Sequence, residues 1–154
     1  MLTIDPESDL TSLVGTSLGT GEWFLIDQAR IDAFAEATAD RQWLHTDPVK
    51  AARGPYGRTI AHGFLVLALL PALASSAFEI SGFTSVVNYG LNRVRFPAPA
   101  PVDSRVRDMI KLDAAETAAS GTLITLTHTV EVEDEDRPAC VAQQIRLLTR
   151  QRAD

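Results

Sequence analysis

One cysteine, Cys140, stands in 154 residues. This excludes an internal disulfide and a cysteine metal cluster, so nothing in the chain requires an oxidising compartment. Positive charge is also scarce: fourteen Lys and Arg stand against twenty Asp and Glu, for a formal net charge of −6. That balance opposes attraction to phosphate backbones and anionic membrane surfaces, so no nucleic-acid partner is expected. No apolar run reaches the roughly 20 residues a helix needs to cross a bilayer; the longest follows Gly63, stops at Phe78 and contains Pro71. The first ten residues, MLTIDPESDL, lack the basic start and apolar core of a secretory signal. Internal repeats and low-complexity linkers are absent. These absences point to a cytoplasmic protein without membrane insertion. With 45% hydrophobic residues, a chain of this length has enough material for one core, and one domain over residues 1–154 is expected.

What the chain does have is a stretch, DRQWLHTDPVKAARGPYGRTIAHG from Asp40 to Gly63, where an acid, an imidazole and glycine-marked turns gather at the mouth of the most apolar segment. Asp40 and His45 are read as lying outside regular helix or strand. The elements around them follow from local signals. Leu10, Leu13, Val14 and Leu18 suggest a short amphipathic turn, and Glu22 to Ile26 a strand. Asp27 is a good N-cap, and Ile31, Phe34, Ala35 and Thr38 recur at helical spacing, which predicts a helix from Gln28 to Thr38 and delivers Asp40 just past its end. Asp47 and Pro48 begin a second, short helix to about Arg53. The segment from Ala61 to Phe78 is apolar on every side and predicts a helix buried all round, kinked where Pro71 cannot bond the carbonyl of Leu67.

The second half is rich in branched residues over 84–96, 105–112, 122–133 and 139–149, which predicts four strands. The turn at 134–137 makes a hairpin, and PAPAP at 97–101 is a stiff extended crossing. A helix that is apolar all round needs wrapping, and an antiparallel sheet of about five strands, one early and four late, is available to wrap it. The fold class is α+β. Open sheet edges predict a homodimer.

The residues ADRQWLHTDPVKAA followed by GRTIAHGFLVLALLP resemble the signature of the MaoC-like dehydratases, the (R)-specific enoyl-CoA hydratases of the hotdog fold. NYGLNRVRFPAPAPVDSRVR extends the resemblance over most of the chain and is most similar to the NodN-like branch. The resemblance implies a single hotdog domain, an acyl-CoA or acyl-carrier thioester substrate, a catalytic pair at Asp40 and His45, and the backbone amide of Gly63 as the donor to the thioester oxygen. No cofactor is implied, coenzyme A being part of the substrate. Two departures bear on pocket shape and chain length more than on chemistry. Gln42-Trp43 stands where Asn-Pro often follows the acid, and Pro71 falls where the central helix often has a serine.

The residue types suit that chemistry independently. Adding water to a double bond conjugated with a thioester needs a base for the water, a proton for the α-carbon and a donor for the enolate oxygen. A carboxylate and an imidazole supply the first two, with Asp40 expected to be partly buried beside Trp43 and Leu44 and its pKa raised by that burial. An amide at the start of a buried helix supplies the third. His62 is a candidate substrate contact but is better read as capping or packing at that helix start, and His128 as a hydrogen-bonded core imidazole. Three scattered histidines make a weak metal site, and no metal is expected. Asn88 and Tyr89 are candidates for an acyl tunnel, and Arg93, with Arg95, Arg105 and Arg107, for the phosphates of coenzyme A. Two alternatives remain: a hotdog acyl-CoA thioesterase, and a catalytically silent acyl-binding or partner subunit. The absence of an acid between Gly63 and Phe78 argues against the first, and the presence of both Asp40 and His45 against the second.

Overall fold

The computed structural model describes residues 1–150. Four long strands carry the architecture: β5 (Ser85–Arg95), β6 (Ser104–Ala118), β7 (Gly121–Val132) and β8 (Cys140–Thr149). Two short early strands, β2 (Ser17–Thr20) and β3 (Phe24–Ile26), lie end to end along β6, so the antiparallel sheet has six strands in the order β2-β6-β7-β8-β5 with β3 beside β6. The expected sheet of about five strands is met, with β2 as the strand not foreseen: its SLGT carries a glycine at φ 146° and no alternating pattern. Strand β1 (Leu2–Ile4) pairs in parallel with β4 (Phe78–Ile80) as a separate two-stranded sheet. This was not expected either, because Phe78 reads as the end of the apolar helix.

Alternation along the strands determines which face is covered. Buried and partly exposed residues follow one another along β7 from Ile124 to Val132 and throughout β8, the period of a sheet with one covered face. Against that face lies the apolar segment, as α5 (Gly63–Ala68) and α6 (Leu70–Ala74). Leu65, Val66, Leu69, Leu70 and Leu73 form one core cluster with Ile31 and with Val106, Val130 and Val132 of the sheet. The division at Leu69 has a physical cause: Pro71 has no N–H to continue the ladder, and regular bonding resumes with Leu73 N–H to Leu69 O at 2.9 Å. The expectation of burial all round is corrected. Phe64 is 68% exposed, and Ala68, Pro71, Ala72, Ser75 and Ser76 continue an open stripe at helical spacing.

The helices that flank the candidate site are capped by the expected residues. Helix α2 (Gln28–Thr38) starts at Asp27, whose carboxylate accepts from Arg30 N–H at 2.9 Å, and ends at Ala39 in the left-handed region with φ 59°. Two single-turn helices follow, α3 (Trp43–Thr46) and α4 (Pro48–Ala51), the latter capped by Asp47. The amphipathic turn near the start is α1 (Leu10–Leu13).

Candidate active site

The left-handed Ala39 turns the chain out of α2 and leaves Asp40 on the exposed side. Partial burial of this carboxylate beside Trp43 and Leu44 was expected and is corrected. His45 is 8% exposed and sits inside α3, where it was expected outside regular structure. Its ring is fixed by Nδ1–H donating to Ile60 O at 2.7 Å, and its carbonyl accepts from the Gln28 side chain at 2.7 Å. Gln28 also accepts from Thr59 Oγ1. One amide at the start of α2 therefore ties together α3 and the extended segment 59–61. That segment is held in turn by PAPAP, with Ala61 N–H bonded to Ala100 O at 2.8 Å and Val102 N–H to Thr59 O at 2.9 Å.

His62 closes the arrangement from behind. Its Nε2–H donates to Asp40 O at 2.9 Å and its ring stacks on His45, centroids 3.7 Å apart and 25° from parallel. Phe34 of α2 lies 5.1 Å away on a tilted face. Although His62 occupies the N-cap position of α5, its side chain makes no cap hydrogen bond. Two of the three histidines are therefore gathered: Asp40, His45 and His62 present atoms within 4.8 Å of one another. This donor set suits a metal ion poorly. Zinc takes imidazole nitrogens at about 2.0–2.1 Å along their in-plane lone pairs, and two stacked rings cannot both aim those lone pairs at one point.

The tautomers follow from the partners. A nitrogen facing a carbonyl oxygen carries the proton, so neutral His45 has its lone pair on Nε2. Burial lowers the His45 imidazole below its usual 6.5; the Ile60 carbonyl opposes this, His62 lowers it further and Asp40 raises it. At neutral pH the ring is an acceptor beside a carboxylate, the state a proton-accepting pair requires.

Beside His45 opens a cleft of about 300 Å³ lined by His45, Tyr56, Gly63, Val66, Phe96 and residues 97–100 of the PAPAP segment. Gly63 starts α5, and its N–H has no hydrogen-bond partner among the described residues. A side chain there would meet the Phe96 ring at 2.9 Å, so only a glycine lets ring and backbone approach this closely. Helix α5 has only six residues before the Pro71 break. The long helix dipole expected behind this amide is thus shortened, and the bare N–H is what the site offers.

The other candidate residues are dispersed. Asn88 accepts from Gln144 Nε2 at 3.0 Å and lines a separate groove along α5 and α6, whereas Tyr89, at a bulge in β5, is 62% exposed. Arg93 lies with Arg95 in a groove on the other face of the sheet. Arg105 and Arg107 pair with Glu133 and Glu131, and Arg107 also covers Trp23. His128 is a buried core imidazole as expected, with Nδ1 2.6 Å from Asp108 Oδ2. Burial pushes the Asp108 carboxyl up against the hydrogen bond from His128, and it pushes the Cys140 thiol up to about 12, which leaves that thiol unreactive. Sequence reasoning missed Phe96, Tyr56 and the lining role of PAPAP, whose signal was present as three prolines within five residues just past strand β5 but was read only as a crossing.

Residues 9–135 match the MaoC like domain. Over 146 residues, 94% of this chain and 97% of the relative, the protein is 48% identical to 3-hydroxyacyl-thioester dehydratase Z of Mycobacterium tuberculosis. It is 44% identical over 144 residues to Nodulation protein N of Rhizobium leguminosarum, covering 92% of this chain and 89% of that one. The fold is similar to that of an Archaeoglobus monoamine oxidase regulatory protein, with a TM-score of 0.77 at 21% identity over 99% of this chain and 100% of the other. It is also similar to an (R)-hydratase from A. caviae, with a TM-score of 0.71 at 24% identity over 88% and 96% of the two chains. By the domain match and these identities, the chain belongs to the MaoC-like dehydratases and has their hotdog fold.

Proposed function

We propose that the protein is an (R)-specific hydro-lyase that interconverts trans-2-enoyl and (R)-3-hydroxyacyl thioesters, with Asp40 and His45 as the acid–base pair. The observation that carries this reading is the meeting of Asp40 with His45, which lines a cleft together with Gly63, whose N–H is unpaired among the described residues. In hydration the pair holds one water and takes a proton from it as the oxygen bonds to C3. The electron pair of the double bond moves toward the thioester oxygen, where the Gly63 N–H stabilises the enolate. A proton from the pair is then delivered to C2. Hydroxyl and hydrogen have been added and the pair is back in its starting state. A donor aimed at such an oxyanion contributes roughly 2.7–4 kcal/mol in other enzymes. His62 is a positioning residue: its stacking holds the His45 ring and its Nε2–H holds the backbone of Asp40.

One pair that both activates the water and returns the proton delivers hydroxyl and hydrogen to the same face, so addition is syn. The reading includes a homodimer, a thioester of coenzyme A or of an acyl carrier, and no additional cofactor. The thioesterase alternative lacks an acid on α5 or α6. The test is loss of enone absorbance when pure protein is added to short trans-2-enoyl-CoA substrates. Loss with wild type and not with His45→Gln supports the reading, and no loss at any chain length favours the silent subunit.

A further inference from the structure

Three clefts follow one another along the open stripe of α5 and α6. The first is the reaction cleft at Gly63 and Val66. The second, about 330 Å³, is walled by Leu67, Pro71, Leu91 and Asn88, and the third, about 540 Å³, by Pro71, Ala74, Phe78, Val86 and Arg146. Their walls descend together: Phe96 faces Gly63, Leu91 and Asn88 share a wall with Leu67 and Pro71, and Val86 shares one with Ala74. The helical pair and β5 therefore run side by side in opposite senses. At 1.5 Å per residue, Ala74 lies roughly 16 Å beyond Gly63 along the helices.

Arg146 at the far end is anomalous. It is 9% exposed, on the covered face of β8, between Gln144 and Leu148. Of its N–H groups, Nε–H donates to Gln144 Oε1 at 2.8 Å, and Nη2 is buried with no partner among the described residues. Leaving donors on a buried cation unpaired is costly, so a partner is called for. Apolar carbon forms most of the rest of that cleft, and the guanidinium lies 5.9 Å from the Phe78 ring.

We propose that this track is the acyl-chain site and that Arg146 selects thioesters carrying a neutral acceptor oxygen, a ketone or hydroxyl, near the far end of the chain. This rests on the hydro-lyase reading above and names its substrate class. A neutral oxygen fits better than a carboxylate because Glu79 lines the same cleft and Asp108 lies close enough to act on Arg146 electrostatically, so the charge there is already balanced. A chain lying in the cleft displaces water from beside the guanidinium, and a methyl end then offers it no acceptor, which is the situation in which hydrogen-bonding pockets discriminate most.

The experiment compares kcat/KM for three trans-2-enoyl-CoA substrates of equal length, long enough to reach Ala74: one methyl-ended, one with a ketone next to the end, one with a terminal carboxylate. Crotonyl-CoA, too short to reach Arg146, is the control. The expected result is that wild type prefers the ketone over the methyl end by about tenfold or more and that Arg146→Met brings the ratio near one. Should Arg146→Met fail to fold, Ser75→Trp narrows the third cleft from its exposed helical side and is expected to depress both long neutral substrates relative to crotonyl-CoA. Equal or better use of the methyl-ended substrate by wild type overturns the proposal, as does a preference for the carboxylate. If crotonyl-CoA is hydrated while the ratio is one, only this inference falls; if no thioester is hydrated, the hydro-lyase reading falls with it.

Discussion

His45 shows how one side chain acquires its working state from its surroundings. Packing under His62 and against the 59–61 segment removes water and favours the neutral ring. Its folded value lies below the 6.5 of the unfolded chain, so the stability it contributes is fully present above about pH 6.5 and is lost as pH falls through the lower folded value. Denaturant titrations between pH 8 and 5 are expected to show wild type losing more stability on the acid side than His45→Gln; parallel slopes would contradict this. Asp40→Asn and His45→Gln are each expected to lower kcat by at least about 10², with the double variant scarcely worse than either, because groups acting as a unit are not additive. The nearness of Asp40 and His45 was legible because the two lie only five positions apart in sequence. His62 as a positioning residue was not, since its contacts span seventeen and twenty-two residues and depend on how PAPAP holds the 59–61 segment. Asp108 and His128 lie on different strands and meet only through the β6–β7 register.

Whereas β6, expected over 105–112, runs on to Ala118, elements that announce themselves by local chemistry, such as α2, were read to within a residue or two. Asp27 capping α2 is an instance, and Asp27→Ala is expected to cost about 1 kcal/mol of stability by chemical denaturation. Pro71 correctly marked a break, whose effect was to divide the segment rather than bend it. What local chemistry could not reveal was pairing: β2 and β1 have little pattern of their own and exist because β6 and β4 offer them partners. The exposed stripe on α5 and α6 was hidden for a related reason, since an all-apolar sequence does not say which side the sheet covers. Gly63 tests how α5 meets the cleft. An added methyl in Gly63→Ala meets the Phe96 ring at 2.9 Å, and that residue is 40% exposed and can swing away. The fold should survive by circular dichroism, while kcat/KM falls by up to about 10² because a cleft wall has moved. Unchanged kinetics would remove Phe96 and Gly63 from the account of the site.

At the scale of the molecule, strand β5 leaves one sheet edge open, and Val86, Val87, Tyr89 and Leu91 on it are all more than 40% exposed. An edge this long and apolar is a pairing surface, and a homodimer of twice 16.7 kDa is expected by sedimentation. Val87→Lys should weaken it, and a fully active wild-type monomer at nanomolar concentration would contradict the need for pairing. The central claim is that Asp40, His45 and the Gly63 amide add water to one face of an enoyl thioester and form the (R)-3-hydroxyacyl product. The most direct measurement couples hydration of a trans-2-enoyl-CoA to stereospecific 3-hydroxyacyl-CoA dehydrogenases. The account predicts prompt NADH formation with an (R)-specific coupling enzyme and almost none with an (S)-specific one, whereas prompt NADH formation with the (S)-specific enzyme alone would contradict it.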